Sequence, residues 1–262
     1  MRQFFKAPYI IIVMYVLSMA VIVACRHDDQ LIESSAVSVK RGTAVLLPGN
    51  MTTGNTNEWK LDKVHSNVMW QTRYMGAAGL LTGRFNQFGM AKVTDAKAIN
   101  YVTTGQPLVD ADWAFYESDP SKTFFNGYVQ INTSNTGEPG RDNGCNITTL
   151  GTVAVVTGTQ NLTPTNLAKI ETTKVEFDPS SAGYLVTLNL TFKGGLTAPK
   201  TISIPGKLAY VPRQTVQIGT AAGYDVFGLQ LQFQFSCRDF GITSTSVADK
   251  IEIECNMNFN NK

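Results

Sequence analysis

The chain has 262 residues, 43% of them hydrophobic and only 16% charged, with a formal net charge of +2. That is ample apolar material for a sizeable core, and fewer charges than the roughly 25% of an average globular domain. A near-neutral balance with no block of like charges excludes an electrostatic footprint for nucleic acid.

Arg2 and Lys6 make the N-terminus positive, and an apolar stretch from Ile10 to Val23 follows, broken only by Ser18. It ends in Ile22-Val23-Ala24-Cys25. A plain secretory leader would close on an Ala-x-Ala-like site. A small residue directly before Cys instead resembles a bacterial lipobox, in which the Cys is acylated and becomes the mature N-terminus. The alternative, an uncleaved transmembrane helix, needs roughly 20 apolar residues, more than this run offers. The expected organisation is a signal peptide over 1–24, a lipidated Cys25 opening a flexible tether over 25–57, and one domain over 58–262. Acyl chains contribute about 0.8 kcal/mol per buried CH₂. They would hold the protein at the cell envelope, on an outer membrane facing periplasm or surface. The tether reading rests on small and polar residues, most densely over 49–57, with a short strand expected within 36–47.

From Trp59 onward the period of the pattern becomes two. In residues 66–74, Val68, Trp70 and Tyr74 share one parity, while Asn67, Gln71 and Arg73 hold the other. Alternation of this kind predicts a half-buried strand. Further strands are expected near 79–90, 110–117, 125–134, 152–158 and 170–178. Between Gly183 and Lys193, Tyr184, Val186, Leu188, Leu190 and Phe192 lie on one face and Thr187, Asn189 and Thr191 on the other. A strand over 201–211 follows, with Pro205-Gly206 as a break. Leu229, Leu231, Phe233 and Phe235 then alternate with Gln230, Gln232, Gln234 and Ser236. Ile251, Ile253, Cys255, Met257 and Phe259 alternate with Glu252, Glu254, Asn256 and Asn258. No long segment has a 3.6-residue period, and short helical turns are expected only near 160–170 or 243–249. Long alternating strands of this type build a sandwich or a closed barrel. A barrel of about eight strands is filled by side chains or holds one small ligand.

The chemistry-bearing residues are few. There are 4 Cys and 2 His. With Cys25 assigned to lipid, Cys145, Cys237 and Cys255 remain, an odd number for a disulfide framework. A closing hairpin centred near residue 243 puts Cys255 opposite residue 231. Cys237 is then about six residues away, roughly 20 Å at ~3.3 Å per residue, whereas a disulfide needs Cα atoms within about 7 Å. Free, buried thiols are expected. His27 falls in the tether and His65 at the start of the first barrel strand, where a structural role at the rim is the simpler reading. No nucleophile–base pair, zinc spacing or phosphate-binding glycine loop is present. Asp62, Asp110, Asp112, Glu117 and Asp119 read as solvated loop charges rather than a carboxylate pair.

Trp59-Lys60-Leu61-Asp62-Lys63-Val64-His65-Ser66-Asn67-Val68-Met69-Trp70 resembles the opening strand of the YceI-like proteins. Gly83-Arg84-Phe85-Asn86-Gln87-Phe88 follows at the position of that family's glycine–phenylalanine strand. Residues 131–137 with Arg141-Asp142 are similar to its central strand, and Tyr184–Gly194 and Lys200–Leu208, around Gly195-Leu196-Thr197-Ala198-Pro199, to its paired middle strands. Arg238-Asp239-Phe240-Gly241-Ile242 and Ala248–Ile253 look like its closing hairpin. Together these motifs cover most of 58–260 in family order. Residues 143–166 depart from the pattern, and Tyr74 stands where the family often carries a basic residue or His.

The resemblance implies an all-β fold: a single antiparallel, about eight-stranded, lipocalin-like barrel with short helical turns. It further implies non-enzymatic binding of an amphipathic, isoprenoid-like lipid of polyisoprenoid or quinone type. The lining implied is Val68, Trp70, Tyr74, Tyr184, Val186, Leu188, Leu190, Phe192, Leu231, Phe233, Phe235, Ile253 and Met257. No catalytic residue, metal or cofactor is expected beyond such a lipid. The partners are the lipid and, through Cys25, the membrane; a homodimer is compatible with the sequence. Arg141 with Asp142 and Arg238 with Asp239 are expected to lock turns. The competing reading is a surface or periplasmic interaction or scaffold lipoprotein whose barrel is filled by its own side chains.

Overall fold

The computed structural model describes residues 52–55, 59–74, 79–91, 98–100, 112–116, 119–142, 159–161, 167–181 and 183–262. The leader, Cys25, the strand within 36–47, Cys145, the strand over 152–158 and most of 143–166 lie outside the described residues.

The strands are, in chain order, β1 (Thr52–Asn55), β2 (Lys60–Leu61), β3 (Asn67–Arg73), β4 (Leu80–Phe85), β5 (Phe88–Gly89), β6 (Ala98–Asn100), β7 (Trp113–Tyr116) and β8 (Phe124–Gln130). They continue with β9 (Ser134–Asn135), β10 (Thr159–Asn161), β11 (Leu167–Asp178), β12 (Gly183–Phe192), β13 (Lys200–Val216), β14 (Tyr224–Ser236) and β15 (Lys250–Asn260). β6 and β10 pair only with each other. The main sheet runs β8-β11-β12-β13-β14-β15-β3-β4, every neighbour antiparallel.

That sheet closes on itself. β4 and β5 are halves of one run bent at Asn86-Gln87, and β8 and β9 are halves of another, separated by the 3₁₀ turn Ile131–Thr133. β4 pairs with β9 through Arg84↔Asn135 and Phe85↔Ser134, and β5 with β8 through Phe88↔Val129 and Gly89↔Tyr128. The ring positions are therefore β3, β4/β5, β8/β9, β11, β12, β13, β14 and β15, the barrel expected from the sequence. Closure removes the unpaired edges that an open sheet would expose.

Strand alternation matches burial. The inward faces of β12, β14 and β15 are the apolar ones, and the exposed or half-buried residues between them include Thr187, Gln232, Gln234, Glu252 and Glu254. Four expectations change. Thr52–Asn55, placed in the tether, pairs with β7; backbone hydrogen bonding tolerates its small polar sequence. β13 runs straight through Pro205-Gly206. Its ladder with β14 begins at Gly206↔Phe233, so the missing Pro205 N–H falls just beyond that ladder. Residues 243–249 carry no helix; the turn is instead the 3₁₀ segment Cys237–Phe240, ended by Gly241 in the left-handed region at φ 68°. Near 160–170 the described residues belong to β10 and β11. Cys255 does pair with Leu231, and Cys237 and Cys255 are free and buried. Among the described residues, no helix is long and apolar enough to cross a membrane.

Candidate ligand cavity

Two aromatic layers fill the barrel interior towards its ends. The register of β14 and β15 sets Phe227 opposite Phe259, and the rings stack 4.7 Å apart. β7 adds Trp113, 4.7 Å from Phe259, and Phe115, 5.6 Å from it. Trp59 caps Phe227 at 4.8 Å, and Tyr210 joins Phe115 to Tyr184. Each such contact adds about 0.5–1.5 kcal/mol beyond its area burial. At the other end Phe240, on the 3₁₀ turn, packs 5.3 Å from Phe192 and 5.6 Å from Phe235. The β12–β13 turn approaches that 3₁₀ turn backbone to backbone: Gly195 N–H donates to the Phe240 carbonyl. A Cβ on Gly194 would run into the same oxygen, which explains the paired glycines of the motif.

Between the layers lies a cavity of about 80 Å³ with an almost wholly apolar wall. Eight of the sequence-expected lining residues meet there: Val68, Leu190, Phe192, Leu231, Phe233, Phe235, Ile253 and Met257. Leu208, Leu229 and Cys255 join them from the same inward faces, and strand parity alone could have found them. Phe85, Met90, Phe125, Ile131, Ala168 and Ile170 complete the opposite wall. Met90 and Ile131 lie outside the strands, Phe85 and Phe125 on the short β4 and β8, and Ala168 and Ile170 at the start of β11, whose register shifts between Thr172 and Lys174. Gly127 lies in that wall, where a Cβ would come within 3.2 Å of Ile170.

Five expected residues stand elsewhere. Trp70 is 2% exposed, but it lies flat on Gly83, where a Cβ would sit 2.6 Å from its ring. Its Nε1–H donates to Ser134 Oγ at 2.7 Å. It fastens β3, β4 and β9 together instead of walling the cavity. Tyr74 is 40% exposed, because β3 ends at Arg73 and Tyr74 forms an isolated bridge to Val247. Tyr184 belongs to the aromatic layer. Val186 and Leu188 face inward but are packed over, Val186 against Gly206.

Polar groups serve the rim and the turns. Asp62 Oδ1 accepts from the N–H groups of Val64 and His65, and its Oδ2 lies 2.7 Å from His65 Nδ1. Burial pulls the Asp62 carboxyl up, but these hydrogen bonds and the His65 charge outweigh it and hold the group below its usual range. The two Arg-Asp motifs lock turns without pairing internally. Arg238 donates to Asp249 and to the carbonyls of Ile242, Ser244 and Val247. Asp142 accepts from Thr136 N–H and Oγ–H. In the cavity wall, burial pushes the Cys255 thiol to about 12, helped by the Glu254 charge, and burial pushes the Tyr128 phenol to about 12. Among the described residues no group of His, Cys, Asp and Glu is placed to hold a metal ion. A wider depression of about 800 Å³ crosses the outer sheet face past Gln71, Lys207, Gln232 and Glu254; it is open to water, and its lining mixes these polar groups with apolar surface such as Leu185 and Pro205.

Comparison with solved structures places the chain beside a polyisoprenoid binding domain from Saccharophagus degradans implicated in plant cell wall breakdown. Identity is 11% and the TM-score 0.38, covering 77% of this chain and 97% of that one. A mutant CJ YceI protein with a monobromobimane guest is 16% identical with a TM-score of 0.41, covering 78% and 97%. No curated protein matches. The model of the YceI-like domain matches residues 59–259, the whole span of the barrel, and the chain belongs to that family.

Proposed function

We propose that the barrel binds and carries an amphipathic, isoprenoid-like lipid of polyisoprenoid or quinone type without altering it, and that an acylated Cys25 holds it at the cell envelope. The observation that carries this reading is the apolar cavity between the two aromatic layers. An apolar tail in such a space is held by area removed from water, at about 25 cal/mol per Å², and needs few polar partners. Membership of the YceI-like family supports the same reading, since the resemblance implies a ligand of this class.

The cavity is small. Ligand pockets commonly run ~300–1,000 Å³, against about 80 Å³ here, so a tail has to part side chains as it enters. The same small volume favours the second reading, a filled barrel acting as an interaction or scaffold lipoprotein. Native mass spectrometry of the purified protein, before and after mild delipidation and after exposure to a short-chain quinone, separates the two. Retained lipid or stoichiometric quinone uptake is the expected result. A protein that is empty throughout and refuses the quinone has a filled barrel. Loss of membrane association in Cys25→Ser, with folding unchanged, tests the anchor.

A further inference from the structure

The interior wall changes character abruptly. On three neighbouring strands the inward residue lining the cavity is aliphatic and the next inward residue is aromatic: Leu208 then Tyr210 on β13, Leu229 then Phe227 on β14, Met257 then Phe259 on β15. Phe115 joins from β7 and touches Tyr210, Phe227 and Phe259 at ring separations of 5.6–6.1 Å. None of these four aromatic residues is more than 1% exposed, and none lines the cavity. The opposite end differs. Phe192 and Phe235 themselves line the cavity, and Phe240 closes it from a four-residue 3₁₀ turn instead of from a strand. One end is therefore fixed by interlocked rings, three of them on the long strands β13, β14 and β15 and the fourth, Phe115, on the short β7, and the other by a turn.

We propose that the Phe115–Tyr210–Phe227–Phe259 layer is a depth stop that sets the length of apolar tail the barrel accepts. This rests on the lipid-binding reading and adds the class within it: short isoprenoid chains whose far end abuts these rings. A tail longer than the space in front of the layer must leave part of itself outside the cavity, and the burial of that part is lost.

The test measures binding of geraniol, farnesol and geranylgeraniol to the full chain and to three variants, by displacement of an environment-sensitive fluorescent fatty acid. Phe115→Leu and Phe227→Leu open the layer; Leu208→Phe fills the space in front of it. Relative to wild type, the Leu variants are expected to shift preference towards the longer alcohol by about tenfold, the scale of two more buried methylene groups. Leu208→Phe is expected to shift it towards the shorter by a similar factor. Folded variants that keep the wild-type order of preference overturn the depth stop while leaving lipid binding intact. A wild-type protein that binds none of the three overturns the underlying reading and this inference with it. Should both Leu variants fail to fold, Leu208→Phe, which leaves the layer whole, decides alone.

Discussion

The two sides of the barrel are held together differently. From β12 to β15 the wall is a long ladder, shifted in register once between Val211 and Gln214: nine register pairs join β12 to β13 and eleven join β14 to β15. Across the seam where β4/β5 meets β8/β9 there are two pairs at each end of a bend. Side chains take over where the ladder is short. Trp70 donates to Ser134, Gln87 N–H donates to Thr133 Oγ1, and Thr133 Oγ1–H donates to the Gln130 carbonyl. A wall built by repetition spreads its stability over many equivalent bonds, whereas a seam built by a few specific contacts concentrates it. The seam should therefore be brittle to single substitutions.

The largest expected effect tests that contrast directly. Trp70→Ala removes a ring, a buried hydrogen bond and the packing over Gly83, and should cost about 3–5 kcal/mol in urea unfolding. On the wall, the half-exposed change Thr187→Ala should stay within about 0.5 kcal/mol. Equal costs would break the comparison. Leu231→Ala, in the cavity wall, should cost about 2–3 kcal/mol yet strengthen binding of a bulky quinone, because the space it leaves adds to the cavity. Arg238→Ala should cost about 1–3 kcal/mol by freeing three carbonyls of the closing turn, and should raise protease sensitivity there without altering the seam.

A pH titration sharpens the contrast further. Cys255 lies on the wall and Tyr128 on the seam, and burial raises both groups from 9.0 and 10.0 to about 12. Their protonated forms are favoured by folding, so the contribution is fully present below about pH 9. It is lost as pH rises towards about 12, because the unfolded chain ionises first. Stability should be flat up to about pH 9 and then fall, and Cys255→Ala should remove only the wall's share of the fall. The smallest effect is at the rim. Asp62→Ala loses the cap of the Lys63–His65 turn and should cost about 1 kcal/mol. In the wild type that contribution disappears as pH drops through the lowered carboxyl value of Asp62.

The wall was legible in the sequence and the seam was not. Alternation is a property of the strand backbone, so Tyr184–Phe192, Leu229–Phe235 and Ile251–Phe259 could be assigned a face without knowing what lay opposite. Parity could say that Trp70 points inward, but not that Gly83 and Ser134 meet it, since Ser134 is 64 residues away. Tyr74 shows the converse limit. Its parity continues in the sequence after β3 has ended, so the pattern placed inside a residue that is exposed. Trp113, Phe115 and Phe125 sit on strands with too few alternations to mark a face, and their role appears only when closure brings β7 and β8 beside β14 and β15. The glycines of the motifs were visible as signatures, while their reason, room for Trp70 over Gly83 and for Phe240 beside Gly194, is tertiary.

The central claim is that the interior of the barrel is the binding site. The most direct measurement compares farnesol binding by the wild type and by Leu231→Phe, which fills the middle of the cavity while leaving the outer face, the rim and the seam unchanged. With unfolding midpoints within a few degrees of each other, the account requires Leu231→Phe to bind at least tenfold more weakly. Unchanged affinity in the folded variant would place the ligand outside the barrel and contradict it.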